Sequence, residues 1–239
     1  MNLVVDFGNS SAKVAIFDQL RLVEKHTFAS LDELKLFLQH ADAMNLLVSS
    51  VNADAHEIIS WALKAKQKFV LTHNLPLPIK LLYSTPHTLG VDRIAGSCGA
   101  LQLFPGLDSL VIDMGTCITY DFTDGKGNFH GGGISPGLMM RFNAVHTFTV
   151  KLPLVKPTDS PELIGNSTET SIQSGVINGI AAEIDGIIDR YRAQHPTLKV
   201  ILCGGDAPFF ENKLKASIFA SPELVLFGLN SVLIHNVSV

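Results

Sequence analysis

The chain has 239 residues, 46% hydrophobic and 17% charged, with a formal net charge of −4. That composition fits an ordinary soluble globular protein with room for one large or two modest domains, and an acidic balance without a Lys/Arg cluster argues against nucleic acid as a partner. No apolar run approaches the roughly 20 residues that span a bilayer. The three cysteines lack C-x-x-C spacing and the nine histidines lack H-x-x-x-H pairing, which speaks against a His/Cys metal site.

The first residues read as a strand at 2–7 rather than a secretory leader, which with the scattered cysteines gives the expectation of a cytoplasmic protein. Strands at 12–17 and 21–28 follow closely enough for an antiparallel meander. Leu31, Leu34 and Leu38 recur at helical spacing over 31–39. A strand at 46–51, a helix at 54–66, and short strands at 68–72 and 79–83 come next. A helix rich in small residues at 92–104 is stopped by Pro105-Gly106, the best domain boundary, so the halves are expected at 1–106 and 107–239. The second half restarts with strands at 109–114, 117–123 and 128–134, the last two joined by the Asp124-Gly125-Lys126-Gly127 turn. Ser135-Pro136 suits the start of a helix, as N-cap and first turn. After an irregular connection at 149–166, a long helix is expected over 168–194, with Ser171, Gly175 and Gly179 as a small-residue row. A strand at 199–203 leads to Gly204-Gly205-Asp206, and a last helix covers 223–235.

One segment occurs twice. Leu3-Val4-Val5-Asp6-Phe7-Gly8 returns as Leu110-Val111-Ile112-Asp113-Met114-Gly115, each an apolar strand delivering Asp-x-Gly to a loop. Such a strand end brings backbone N–H groups close to a ligand and leaves a carboxylate for metal or proton chemistry. Two copies imply two related α/β halves, with the active cleft expected between them.

In the first copy, Gly8, Asn9 and Ser10 can offer N–H and O–H donors to phosphate oxygens, Lys13 adds a cation, and Asp6 can hold Mg²⁺ directly or through water. The alternative is a hairpin turn satisfying its own backbone, with Lys13 solvated. In the second, Thr116 and Thr119 can donate hydroxyls to phosphate and Asp113 can bind a cation, or Asp113 simply pairs with nearby amides. Gly90-Val91-Asp92-Arg93 heads the small-residue helix and suits a general base beside an anion anchor; alternatively Asp92 is an N-cap and Arg93 lies on the surface. Gly131-Gly132-Gly133-Ile134-Ser135-Pro136-Gly137 allows close approach of a nucleotide at a helix N-terminus, or is a glycine-rich turn. Gly204 and Gly205 suit contact with a nucleoside. Thr168 is a substrate candidate in Asn166-Ser167-Thr168-Glu169, which reads equally as a capping-box-like start made by Asn166 and Glu169.

Taken in order, the motifs Asp6-Phe7-Gly8-Asn9-Ser10-Ser11-Ala12-Lys13, Gly90-Val91-Asp92-Arg93, Asp113-Met114-Gly115-Thr116, Gly131 to Gly137 and Asn166 to Glu169 resemble those of type III pantothenate kinases. That family belongs to the superfamily of acetate and sugar kinases, heat-shock chaperones and actin, and the resemblance spans nearly the whole chain. It implies duplicated ribonuclease H-like (actin-like ATPase) halves and ATP-dependent phosphorylation of pantothenate, the first step of coenzyme A synthesis. It further implies that residues 6–13, Thr116 and the glycines 132, 133, 204 and 205 bind ATP with Mg²⁺, and that Asp92 is the catalytic base. Tyr83, Gly90, Val91, Asp92, Arg93 and Thr168 would hold pantothenate, and Asp113 a monovalent cation (K⁺ or NH₄⁺). Relatives of this kind are cytoplasmic homodimers, which gives the small-residue row a place as an interface. Another small-molecule kinase on the same scaffold, or a nucleotide-sensing regulatory protein, stays open; the full set of Asp6, Asp92, Arg93 and Asp113 argues against an inactive site.

Overall fold

The computed structural model describes residues 1–8, 11–51 and 53–237. Both copies of the repeated segment become the hub of a sheet. β1 (Asn2–Phe7), β2 (Ala12–Asp18) and β3 (Arg21–Phe28) form an antiparallel meander. On its other edge β1 runs parallel to β4 (Asn45–Ser50), reached through α1 (Leu31–His40). β4 in turn runs parallel to β5 (Gln67–Val70), reached through α2 (Ala55–Trp61). The order is β3-β2-β1-β4-β5.

β6 (Lys80–Leu81) and α3 (Val91–Leu103) follow, and then the pattern returns. β7 (Ser109–Met114), β8 (Cys117–Thr123) and β9 (Asn128–Pro136) lead through α4 (Leu138–Thr147), α5 (Thr168–Gln173) and α6 (Gly179–Gln194) to β10 (Lys199–Cys203). α7 (Ala207–Phe210), β11 (Phe219–Ala220) and α8 (Leu224–Val237) complete the chain. The second sheet reads β11-β10-β7-β8-β9-β6, in which β7–β11 take the places of β1–β5 and β6 is an addition at the start of β9. The architecture is therefore α/β with duplicated ribonuclease H-like halves of the actin-like ATPase type.

By contacts the chain divides into one unit of Met1–Gly106, Thr123–Gly131 and Glu223–Val239 and another of Leu107–Phe122 and Gly132–Pro222. In the first unit the sheet is apolar on both faces, as expected for strands covered on two sides. Leu3, Val5, Leu46 and Val48 pack on Leu34, Leu38, Ile58 and Trp61 of α1 and α2. The alternate residues Val4 and Leu47 pack with Ile94, Ala95 and Cys98 of α3 and Leu229 and Val232 of α8. α3 and α8 cross where neither has a side chain: a Cβ on Gly99 would sit 2.5 Å from Leu224 O, and one on Gly228 would run into Ala95 O. A buried amide chain ties the first strand to the last helix, Asn45 Nδ2 donating to Asn2 Oδ1 (2.9 Å), Asn2 Nδ2 to Asn230 Oδ1 (3.0 Å) and Asn230 Nδ2 to Gln19 O (2.8 Å). In the second unit Leu110, Ile112, Ile118 and Tyr120 of the sheet pack with Phe142, Ile177, Ile180, Ile184 and Ile188. Among the described residues no helix is long and apolar enough to cross a membrane.

Several local expectations are corrected. The helix expected over 54–66 stops at Trp61, because Met44 O takes the N–H groups of Lys66 (2.8 Å) and Gln67 (3.2 Å) and draws the chain into β5. The strand expected at 79–83 pairs over Lys80–Leu81 alone. Ser135 does not cap a helix: β9 continues to Pro136 and Gly137 is the N-cap, its N–H donating to Thr116 O at 3.1 Å. The helix at 168–194 is interrupted by a π turn over Ser174–Asn178, which breaks the i+4 register of the small-residue row. Its capping box is made by Ser167 and Thr170 rather than Asn166 and Glu169.

Candidate active site

In open sheets of this kind ligands gather at the carboxyl ends of the parallel strands, and both repeated aspartates lie there. Asp6 is half-buried and stands opposite Lys13 across the β1–β2 pair, an oppositely charged cross-strand pair. The turn beyond it is closed by Gly8 N–H donating to Ser11 O at 3.1 Å. Among the described residues a Cβ on Gly8 would meet only Ser11 O, at 3.7 Å, an ordinary contact. Asn9 and Ser10, both expected phosphate contacts, lie outside the described residues.

Gly90-Val91-Asp92-Arg93 forms the head of α3. Gly90, not Asp92, is the N-cap, and no side chain caps it. A Cβ on Gly90 would collide with Asp92 Oδ1, so only glycine leaves that carboxylate its place. Asp92 Oδ1 accepts the Arg93 N–H at 2.9 Å, and among the described residues no other hydrogen bond to this half-buried carboxylate is made. One oxygen is thus held by the helix, and the other makes no hydrogen bond among the described residues. Arg93 is no surface residue: it is 9% exposed, its Cζ lying 5.9 Å from the centre of the Tyr83 ring. Tyr83 in turn stands against Phe129 (ring centres 6.1 Å apart) and against Gly131, whose φ of 100° and missing Cβ admit the ring. Tyr83, Gly90, Val91, Asp92 and Arg93 therefore all belong to the first unit, at one end of α3.

Asp113, next to last in β7, lies in register with Cys203 of β10. Gly204, at φ 94°, follows directly, and a Cβ there would strike Asp113 Oδ1 and the Met114 backbone, whereas one on Gly205 would meet open space. Asp206 N–H closes this corner on Met114 O at 2.9 Å, and burial pushes its carboxyl above the usual range. Thr116 is exposed in the tight turn where Gly115 N–H meets Cys117 O at 2.9 Å. Thr119, also expected to reach phosphate, instead donates to Asp121 Oδ2 at 3.1 Å. At Gly132 the missing Cβ makes room for the Tyr120 carbonyl of β8, whereas a Cβ on Gly133 would touch the Tyr120 ring at 3.4 Å. Thr168 is exposed at the first turn of α5.

A network that sequence reasoning missed backs this second loop. Glu183 accepts from Arg141 (2.5 Å) and Tyr120 (2.9 Å), while Arg141 also donates to Ser135 Oγ (3.0 Å) and Pro136 O (2.9 Å). Burial alone would raise the Glu183 carboxyl, but the hydrogen bonds outweigh it and hold it low; burial and Glu183 push the Tyr120 phenol up. The network pins Ser135 and Pro136 just before Gly137, whose N–H holds Thr116. Only the Tyr120–Glu183 separation of more than sixty residues hid it; nothing in a linear pattern links them.

Among the described residues no three His, Cys, Asp or Glu side chains are placed to hold a metal. A single half-buried carboxylate at a strand end still fits Mg²⁺, which takes one or two carboxylates and fills its shell with phosphate and water.

The fold is that of the actin-like ATPases and their sugar kinases. A glucokinase from an Antarctic psychrotroph aligns with TM-score 0.57 at 13% identity, covering 98% of both chains, and a conserved Baf family protein from Campylobacter jejuni with TM-score 0.66 at 21%, covering 99% of this chain and all of the other. Within that class sequence is decisive. The type III pantothenate kinase family model matches residues 2–190. Type III pantothenate kinases of Cytophaga hutchinsonii and Bacteroides fragilis are 44% identical over 237 residues and 46% over 240, each covering 99% of this chain and 100% and 98% of the relative. The chain belongs to the type III pantothenate kinase family.

Proposed function

We propose that this protein transfers the γ-phosphoryl group of ATP to the primary hydroxyl of pantothenate, giving 4′-phosphopantothenate, the first step of coenzyme A synthesis. The observation that supports it most is the head of α3, where the backbone of Arg93 holds one oxygen of the half-buried Asp92 carboxylate, Gly90 leaves that oxygen room, and Arg93 is buried beside it. Asp92 orients the attacking hydroxyl and accepts its proton, the positioning role that phosphoryl transfer chiefly needs. Gly90, Val91, Arg93, Tyr83 and Thr168 hold pantothenate, the Arg93 guanidinium matching its carboxylate. The turn after Asp6 with Gly8, Asn9, Ser10 and Lys13 receives the phosphates, with Thr116 at their edge and Gly132, Gly133, Gly204 and Gly205 toward the nucleoside. Mg²⁺ held by Asp6 would neutralise charge on the transferring group. Asp113 binds K⁺ or NH₄⁺, and the protein works as a cytoplasmic homodimer.

The test is formation of 4′-phosphopantothenate by purified protein with ATP, Mg²⁺, K⁺ and pantothenate, beside a panel of sugars and short acids. Product from pantothenate alone is expected. Phosphorylation of a sugar or acetate in preference, or no turnover with intact nucleotide binding, would overturn the proposal.

A further inference from the structure

The first unit holds a buried hydroxyl that its own packing does not use. Ser49, next to last in β4, is fully buried, and its Oγ has no hydrogen-bond partner among the described residues. Its neighbour shows what a structural serine looks like: Ser50 Oγ donates to Ala53 O (2.8 Å) and accepts from Ala53 N–H (3.0 Å), building the turn after the strand. A buried hydroxyl without a partner loses its water and gains nothing, so an alanine would serve the folded strand as well or better. Such a group in a folded protein asks for a partner that arrives later.

The register names that partner. Ser49 lies directly beside Asp6 on the adjacent parallel strand. Strands in a sheet are about 4.8 Å apart, so side chains at paired positions share a face and a serine hydroxyl can meet a carboxylate by rotation about single bonds. The shared face is that of Val4 and Leu47, under α3 and α8. In the duplicated half the position beside Asp113 is taken by Cys203, so the hydroxyl is peculiar to the first copy.

We propose that Ser49 is a positioning residue for Asp6, its hydroxyl donating to the Asp6 carboxylate when Mg²⁺ and ATP are bound. The inference rests on the reading of Asp6 as the magnesium-side carboxylate. Holding one carboxylate oxygen by a charge-assisted hydrogen bond fixes the direction in which the other faces the phosphates.

The discriminating signature is opposite in sign for stability and for binding. Ser49→Ala is expected to leave the ligand-free Tm unchanged or raised, while weakening binding of a non-hydrolysable ATP analogue with Mg²⁺ about tenfold by calorimetry, the scale of one such bond. In EDTA the variant should bind the analogue as wild type does. Ser49→Cys, close in size but a weak donor, should behave like Ser49→Ala, which separates the hydrogen bond from packing. Wild-type affinity with Mg²⁺ in Ser49→Ala would overturn the proposal, as would a lowered ligand-free Tm, the mark of a structural partner. Asp6→Asn, measured alongside, distinguishes the two readings. If it binds the Mg²⁺ complex like wild type, the reading of Asp6 falls and this inference with it. If it alone loses binding while Ser49→Ala does not, only the role of Ser49 falls.

Discussion

Gly228→Ala should be far more damaging than one methyl group suggests. The new Cβ would lie inside the carbonyl of Ala95, and Gly99 N is only 2.9 Å from the same position, so backbone meets backbone and no side chain can yield. α8 must withdraw from α3 and open the layer formed by Ile94, Cys98, Leu229 and Val232. Overpacking of this kind costs about 1–3 kcal/mol, and a collision with main chain belongs at the upper end. Replacing glycine in a helix returns about 1 kcal/mol of propensity. The net loss is then about 2 kcal/mol, a fall in Tm of roughly 4–8 °C for a chain this long. Gly186→Ala is the matched control, since a Cβ there meets nothing within 4 Å and only the propensity gain of about 1 kcal/mol should be seen. Thermal and urea unfolding of the two variants should therefore move in opposite directions. A Gly228→Ala protein as stable as wild type would refute the close crossing of the two helices.

Asp92→Asn should lower turnover by about 10²-fold or more while leaving ATP-analogue affinity unchanged, by steady-state kinetics and calorimetry; near wild-type turnover would remove the base assignment. Rates in potassium buffer should greatly exceed those in sodium buffer, and Asp113→Asn should abolish the difference; equal wild-type rates in the two buffers would end the cation proposal. Although burial favours its protonated form, Asp124 is held well below the ordinary carboxylate range by hydrogen bonds from His130, from the side chain and N–H of Asn128, and from Lys126 N–H. A depressed folded pKa stabilises above the unfolded value, about 3.9, and that stability fades as pH falls below it. Urea midpoints of wild type and Asp124→Asn should thus differ at pH 7 and converge toward pH 2; a difference unchanged by acid would count against the Asp124 turn as its source.

Which parts of this were legible in the chain follows from the range of the forces involved. The strand that ends in Asp-x-Gly is written in local terms, an apolar run and a glycine, so β1, β7 and their hairpins could be read directly, and so could Gly90 to Arg93 at the head of α3. Turn and cap details depended on what lay across the fold. Ser135 and Pro136 look like a helix start until the carbonyl of Thr116 claims the N–H of Gly137. The π turn at Ser174–Asn178 has no local mark, and the Arg141–Glu183–Tyr120 network joins three elements far apart in sequence. Arg93 illustrates the same limit: next to Asp92 it reads equally as solvent-facing, and its burial, with the guanidinium near the distant Tyr83 ring, shows only in the fold.

The crossing of α8 on α3 also bears on how the protein is made. α3 emerges from the ribosome with the first half of the chain, but the helix that covers it is Leu224–Val237. At about 5–20 residues per second, the interval between the two is many seconds. Through that interval the face of β1 and β4 that includes Asp6 and Ser49 lacks one of its two covering helices, and α3 lacks the helix that crosses it. The second half therefore has time to fold before the first is closed, and α3 is among the last parts of the molecule to gain its final packing.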